Sequence, residues 1–203
     1  MFHRTERLFL RPAWPEDWEA VLGGIADEGV VMNLARAPWP YGPEEAREFV
    51  SRGQDLCCPS FLLVRPDTGK AIGCAGLGRD GDDFEIGYWI ARPFWGQGFA
   101  TEAGRGVIEI ARLLGHRRLS AGHFVDNPAS GRVLRKLGFV PTGKVRARHS
   151  CARGAEALDL FRAADWMAAT RAFEMLLEDF PDDGPSRFYL ARARTYANGA
   201  PPP

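Results

Sequence analysis

The sequence predicts a mixed α/β fold in which helices cover both faces of one sheet, followed by a helical hairpin. Three observations support this prediction. Several segments alternate apolar and polar residues, as half-buried strands do. Other segments repeat apolar residues three and four positions apart, as amphipathic helices do. Clusters of glycine, proline and aspartate separate the two kinds of segment. The resulting order is β-α-α-β-β-β-α-β-α-β-β, an order that suits a sheet with two helical layers.

The first half of the chain predicts a strand, two helices and three consecutive strands. Prolines end the first strand, and a segment with three prolines at 37–43 excludes regular structure there. Turn residues at 66–69 and 80–82 join the last three strands, the second turn forming a hairpin. The predicted elements are strand 7–11, helices 17–27 and 44–54, and strands 61–65, 71–79 and 84–90.

A glycine-rich turn at 95–101 leads from this sheet into the next helix. Gly96 and Gly98 let the backbone approach a ligand closely, and the free amides that begin a helix favour phosphate. A tight turn with no ligand explains the two glycines equally well. A dinucleotide-binding fold is disfavoured, because the third glycine is absent and several strands precede the turn. The later predicted elements are helix 103–114, strand 119–125, a helix from Asn127 to Gly138, and strands 139–149 and 157–161.

Charge and cysteine content narrow the class of protein. The 26 basic and 26 acidic side chains balance, which argues against a general nucleic-acid or acidic-membrane binder. No apolar run approaches the roughly 18 residues of a membrane span, and the charged start predicts no signal peptide. The four cysteines form no metal-binding or redox pair, so we expect reduced thiols, no metal and a cytoplasmic location.

Four landmarks in order give the chain a strong resemblance to the GNAT superfamily of acyl-CoA N-acyltransferases. Within it, the chain resembles the branch that includes the RimJ/RimL ribosomal-protein N-terminal acetyltransferases. The resemblance covers about 5–166. The landmarks are TERLFLRP at 5–12, EIGYWI at 85–90, FWGQGFATEA at 94–103, and NPAS at 127–130 with LGF at 137–139.

The resemblance implies a mixed, mostly antiparallel splayed sheet whose fourth and fifth strands part to admit the pantetheine arm of acetyl-CoA. It implies acetyl-CoA as co-substrate, held by backbone groups beside the arm and by amides around the pyrophosphate. Two departures are Trp95, where an arginine or glutamine is common, and Leu134, where many members have a tyrosine acid. The implied acetyl-CoA-binding residues are Ile90, Ala91, Arg92, Gly96, Gln97, Gly98, Phe99, Ala100, Thr101 and Asn127.

Acetyl transfer to an amine needs a base, donors for the oxyanion and a proton for the leaving thiolate. By resemblance Ser130 supplies that proton; a helix cap is the alternative for both Ser130 and Asn127. Glu85, on the strand that leads to the site, is the candidate base. The alternative is that Glu85 is only a solvated residue of the strand. His123 is a second candidate base, although a structural histidine is favoured.

Two further groups of residues have candidate roles beside these. Trp39 and Tyr41 are candidate walls of the acceptor pocket, or anchors of a proline-rich loop. Arg132, Arg135 and Lys136 are candidates for the ribose phosphate, although a solvated helix face is the favoured interpretation.

The chain divides into a predicted acetyltransferase domain at 1–166 and a helical hairpin appendage at 167–203. The hairpin resembles parts of two adjacent tetratricopeptide repeats, and such units need neighbours to bury their faces. We expect an N-acetyltransferase acting on a protein N-terminus or a small amine, as a monomer or homodimer. The alternative is an acetyl-CoA-binding scaffold without turnover, which the tyrosine replaced by Leu134 would permit.

Overall fold

The structure is a computed structural model that describes residues 1–81, 83–145, 150–152, 164–179 and 184–199. The chain forms two compact units. The first comprises Met1–Asn33 and Tyr41–Thr142, and the second comprises Leu34–Pro40 and Gly143–Pro203. The domain boundary expected after residue 166 stays a prediction.

In the part of the chain that the structure describes, a six-stranded sheet forms the centre of the first unit. Its strands lie in sequence order, and every neighbouring pair is antiparallel except the last, which is parallel. This arrangement confirms the predicted mixed, mostly antiparallel sheet. The strands are β1 His3–Arg4, β2 Phe9–Arg11, β3 Ser60–Val64, β4 Ala71–Asp80, β5 Asp83–Ile90 and β6 Leu119–Ser120.

Helices pack on both faces of this sheet. Helix α4 (Phe99–Leu113) buries Ala103, Val107 and Ile110 against one face, which includes Leu10 and Leu63 of the sheet. Burial of each of the larger side chains, Val107 and Ile110, contributes roughly 1.5–3 kcal/mol to the stability of the fold. The other face meets α1 (Trp18–Ile25), where the ring of Trp89 lies against the backbone of Gly24.

The smaller helices follow the predicted segments with shifted ends. Helix α1 ends at Ile25, and Asp27 caps a short helix that was not predicted, α2 (Glu28–Val31), by accepting a hydrogen bond from the Val30 amide. Helix α3 (Pro43–Ser51) begins one residue earlier than predicted, at a proline, which suits the first position of a helix. Helix α5 (Pro128–Lys136) begins after Asn127.

Two strand predictions were wrong over described residues. The strand expected at 119–125 ends at Ser120, because β6 pairs only with Phe84 and Glu85 before the chain leaves the sheet. The described part of the strand expected at 139–149 has no ladder. Pro141 removes a donor there, and Gly143 has a φ of +70°. The strand expected at 157–161 lies outside the described residues.

The described part of the second unit includes the helices α6 (Trp166–Asp179) and α7 (Gly184–Ala197), which pack on each other as the apolar stripes predict. Ala169, Phe173, Leu190 and Ala193 form their buried cluster. The segment Leu34–Pro40 belongs to the same unit, since Leu34 O accepts a hydrogen bond from Ser150 Oγ at 3.1 Å.

Candidate active site

Strands β5 and β6 pair briefly and then separate. Their parallel ladder covers Phe84 and Glu85 only, whereas β5 continues to Ile90. The Ala91 amide donates to Ile72 O on the β4 side at 2.9 Å, so alternation turns the backbone groups of Ile90 and Tyr88 toward the other side. Among the described residues no strand pairs with them there. The backbone of β5 therefore presents an open edge beyond Glu85.

Several backbone groups after this edge are already engaged. The Trp95 indole donates to Ile90 O at 2.5 Å, and the Phe94 and Trp95 amides donate to Ala91 O and Arg92 O. The amides of Tyr88 and Ile90 and the carbonyl of Tyr88 have no hydrogen-bond partner among the described residues. These open groups belong to Ile90, one of the three residues that the resemblance implies for the arm, and to Tyr88, which was not among them.

The glycine-rich turn presents a row of unpaired donors. Gly96 and Gly98 have φ values of +75° and +84°, a conformation that favours glycine, and Gly98 is the cap from which α4 begins. The first helical bond runs from the Glu102 amide to Gly98 O at 3.0 Å. The amides of 98–101 have no acceptor among the described residues. Oriented N–H groups at a helix N-terminus attract anions.

A cavity of about 300 Å³ opens beside this turn. Three of its side chains are cationic: Arg7, Arg105 and Lys136, the last from the end of α5. Arg132 and Arg135 are exposed on α5 and do not line it. The complete lining is Glu6, Arg7, Gly98, Thr101, Glu102, Arg105 and Lys136. The combination of helix amides and cations suits a polyanionic group.

Glu102 fixes the wall of this cavity. Its carboxylate accepts hydrogen bonds from Thr5 Oγ at 2.6 Å and from both the amide and the guanidinium of Arg7 at 2.7 Å. Burial alone would raise the pKa of Glu102, but these donors together hold it below its usual value. Arg7 also donates to Gln97 O at 3.1 Å and lies over the Phe99 ring. The first landmark of the sequence is thus attached to the glycine turn.

Ser130 lies beside the open edge of β5. Its Oγ is 2.9 Å from the Tyr88 hydroxyl, and its amide donates to Asn127 Oδ1 at 3.0 Å. Asn127 therefore caps α5, which was the alternative interpretation for both residues. The Ser130 hydroxyl does not cap the helix. Burial raises the pKa of Tyr88, and its hydrogen bond with Ser130 acts in the opposite direction.

Glu85 is on the opposite face of β5 from Tyr88. Alternation along the strand puts Glu85 with Trp89 on the face that meets α1, and Tyr88 with Ile86 on the face that meets α4. The structure therefore does not bring the two catalytic candidates together on one face. It places Glu85 and Ser130 on either side of β5, next to the gap that begins where β6 departs.

The aromatic candidates have different surroundings. Tyr41 is only 8% exposed, and its hydroxyl donates to Glu45 O at 3.2 Å, which favours the interpretation as an anchor. Trp39 belongs to the second unit. The ring of His123 is exposed and lies against Gly131, and Leu134 is buried in the core under α4.

Sequence reasoning missed Tyr88 and the cavity residues Arg7, Arg105 and Glu102. Their positions carry signals, because Arg7 and Glu102 are inside two of the landmarks and Tyr88 follows Glu85 by three residues. Nothing in the sequence indicates that Arg7 and Glu102 meet, since 95 residues separate them. In the part of the chain that the structure covers, no cluster of metal-binding side chains occurs and no helix is long and apolar enough to cross a membrane.

Comparisons with known proteins agree with this geometry. The uncharacterized N-acetyltransferase YoaA of Bacillus subtilis is 31% identical over 70% of this chain and 84% of its own. A GNAT-family acetyltransferase from Bacillus anthracis has a similar fold, with a TM-score of 0.63, 23% identity, and coverage of 70% of this chain and 86% of its own.

Ribosomal-protein-S5-alanine acetyltransferase from Vibrio fischeri shares the fold at a TM-score of 0.60 and 17% identity, with coverage of 72% and 87%. The acetyltransferase (GNAT) domain family matches residues 7–140. The sheet that opens beside a glycine turn, and the match over most of the first unit, lead to one conclusion: the chain belongs to the GNAT acetyltransferase family.

Proposed function

We propose that this protein is an acetyl-CoA-dependent N-acetyltransferase that acetylates a primary amine, on a protein N-terminus or a small molecule, by direct transfer. The observation that carries the proposal is the run of amides at 98–101 next to the edge of β5, both without backbone partners among the described residues. One feature suits a pyrophosphate and the other an amide-bearing arm. Free thiols at all four cysteines fit the reducing, cytoplasmic setting that we include in the proposal.

The residues of the first unit fit acetyl-CoA. Amides from Gly96 to Thr101 bind the pyrophosphate, and the open backbone groups of Tyr88 and Ile90 pair with the arm. Arg105 and Lys136 add positive charge where the phosphates gather. Bound acetyl-CoA supplies an activated acetyl thioester, and the chain's own groups supply orientation and proton transfer.

Two side chains carry the proton transfers in this proposal. Glu85 removes a proton from the protonated amine, directly or through water, so that the nitrogen lone pair can form the new C–N bond. The nitrogen that forms this bond then releases its remaining extra proton to solvent. As the C–S bond breaks, Ser130 Oγ donates its proton to the leaving sulfur and regains one from solvent. The proton on Glu85 returns to solvent, so each turnover ends with both groups restored.

A binding and turnover experiment tests the proposal. Calorimetry measures acetyl-CoA binding, and thiol release is followed with peptides bearing free N-termini, polyamines and amino acids. We expect binding and release with at least one acceptor, and no release with N-terminally blocked peptides that lack another amine. Absence of acetyl-CoA binding would overturn the proposal. Binding without turnover on every acceptor would instead favour a scaffold.

Variants at the two candidate side chains sharpen this test. Ser130→Ala and Glu85→Gln are each expected to lower kcat by about 100-fold, since general acid and base groups contribute about that much or more. Acetyl-CoA affinity should change little in either variant. Arg132→Ala, on the same helix as Ser130 but exposed outside the cavity, is the matched control.

A further inference from the structure

We propose that Tyr88 is the positioning residue of the transfer site: its phenol donates to Ser130 Oγ and directs the serine's single proton toward the gap between β5 and β6. The inference rests on the proposed function and assigns a role to a side chain outside the implied catalytic set. Tyr88 acts through Ser130 and does not itself transfer a proton.

The geometry gives the phenol one preferred acceptor. The Tyr88 hydroxyl is 2.9 Å from Ser130 Oγ and 3.4 Å from Ser130 O. Tyr88 stays protonated at neutral pH, since burial moves its pKa upward. A phenol has one hydrogen, and the shorter contact is with Oγ.

The local structure of α5 explains why Ser130 needs such a partner. A serine inside a helix tends to turn its hydroxyl back to a carbonyl of the preceding turn, which consumes its proton. Ser130 is in the first turn of α5, and its Oγ bonds across to β5 instead. With a lone pair of Oγ occupied by Tyr88, the proton of Ser130 is left for another acceptor.

The backbone of the same tyrosine borders the gap. Tyr88 is on the stretch of β5 that continues past the last residue paired with β6. One residue thus presents its main chain to the proposed arm of acetyl-CoA and its hydroxyl to Ser130. The position of the sulfur along the strand and the orientation of its proton donor are then set together.

The chemical step balances without charge on Tyr88. The neutral amine nitrogen forms a bond to the acetyl carbon and releases its extra proton to solvent. The C–S bond breaks, and the sulfur leaves with the electron pair. Ser130 Oγ–H donates to that sulfur while Tyr88 donates to Ser130 Oγ. Ser130 regains its proton from solvent, and Tyr88 is a phenol throughout.

The test measures the thiol pKa of bound CoA, which requires no acceptor. Thiolate absorbance is titrated for CoA bound to the wild type, Tyr88→Phe, Ser130→Ala and the double variant, with Tyr189→Phe as matched control. The wild type should hold the bound thiol pKa below its usual value near 8.5. We expect Tyr88→Phe to raise it by about one unit, a tenfold change in thiolate, and Ser130→Ala by at least as much.

The double variant should match Ser130→Ala, because the two groups act as a unit. An unchanged thiol pKa in Tyr88→Phe, with Ser130→Ala raised, would overturn the role of Tyr88 and leave the proposed function standing. Failure of the wild type to bind CoA or acetyl-CoA would overturn the proposed function itself. In turnover, Tyr88→Phe should lower kcat about tenfold at unchanged KM for acetyl-CoA.

A second replacement covers the case in which Tyr88→Phe does not fold. Substituting 3-fluorotyrosine at position 88 keeps the ring and its packing but makes the phenol more acidic. At neutral pH the phenol is still protonated, so we expect the same thiolate fraction of bound CoA as in the wild type. As the pH rises, the phenol should lose its proton, and with it the stabilisation of the thiolate, at a lower pH than in the wild type. An identical pH profile for the two proteins would overturn the proposal.

Discussion

Arg92 and Asp27 form a bidentate ion pair, with Arg92 Nε 2.6 Å from one carboxylate oxygen and a terminal nitrogen 2.7 Å from the other. Asp27 caps α2, and Arg92 follows β5 directly. A side chain at Gly29 would overlap a terminal nitrogen of Arg92, so a larger residue there would have to displace the guanidinium. The pair attaches the start of α2 to the chain just past the open edge of β5.

Replacing the guanidinium tests this attachment. The hydrogen bond from Arg92 holds the pKa of Asp27 below its usual value, and Arg92→Lys should let it rise, because an ammonium lacks the two-pronged geometry. A lowered pKa gives stability that is present above the unfolded value near 3.9 and lost as pH falls through the folded one. NMR titration of Asp27 checks the first point, and urea unfolding at pH 7 and pH 2 checks the second. Equal Asp27 pKa values in the wild type and Arg92→Lys would contradict this role of the guanidinium.

Glu102 gives a second pH-dependent prediction. Glu102→Gln should lower the free energy of unfolding by about 1.5 kcal/mol at pH 7, since the amide loses the charge-assisted bonds from Arg7. The pKa of Glu102 is lowered in the fold, so this difference should be complete above about pH 5 and fade as pH falls through the folded value.

Denaturant unfolding across this pH range is the measurement. Glu109→Gln is the matched control, because Glu109 is on the same helix but exposed, with an ion-pair partner in His3 at 3.2 Å. We expect Glu109→Gln to change the free energy of unfolding at pH 7 by no more than about 0.5 kcal/mol. Equal effects from the two variants would contradict the role given to the Arg7 contact.

Much of the fold could be predicted from local pattern. Helix α4 and the hairpin of β4 and β5 are long and strongly periodic, and both form where the sequence places them. The strand expected at 119–125 shows the limit of such prediction. Its composition suits a strand throughout, but β6 ends at Ser120, where its pairing with β5 ends at Glu85. Pairing between strands distant in sequence is not encoded in the pattern of either one.

The candidate site divides in the same way. The glycine turn is a local feature, so its residues and their backbone donors could be identified from Gly96 and Gly98. Tyr88 and Ser130 are 42 residues apart, and their hydrogen bond depends on how α5 packs beside β5. For Tyr41 the sequence left two interpretations open, a wall of the acceptor pocket and an anchor of a proline-rich loop, and its burial favours the anchor.

Gly98 tests the glycine turn with a control of the same conformation. Gly98→Ala should lower stability by about 1 kcal/mol, the cost of a left-handed residue with a Cβ, and weaken acetyl-CoA binding at least tenfold. Gly115 has a φ of +83° at the other end of α4, with no neighbour near its missing side chain. Gly115→Ala should cost the same stability and leave binding unchanged.

Calorimetry with acetyl-CoA and urea unfolding separate the two effects of this pair. Gly98→Val should remove detectable binding, because a branched side chain also covers the amides at the start of α4. Acetyl-CoA affinity in Gly98→Ala equal to that in Gly115→Ala would remove the turn from the site.

The cationic cavity gives the last prediction. Lys136→Ala and Arg105→Ala should each weaken acetyl-CoA binding about tenfold at low salt, because each removes a charge beside the helix amides. Salt screens exposed charges, so the loss should shrink as ionic strength rises toward 1 M. Arg132 is on the same helix as Lys136 but outside the cavity, so Arg132→Ala should bind acetyl-CoA as the wild type does.

Repeating the titration with dephospho-CoA identifies which phosphate Lys136 contacts. If Lys136→Ala then matches the wild type, the Lys136 charge meets the ribose phosphate. If the loss of affinity persists, the charge meets the pyrophosphate. Equal losses in Lys136→Ala and Arg132→Ala would show a general charge effect and contradict the cavity as the phosphate site.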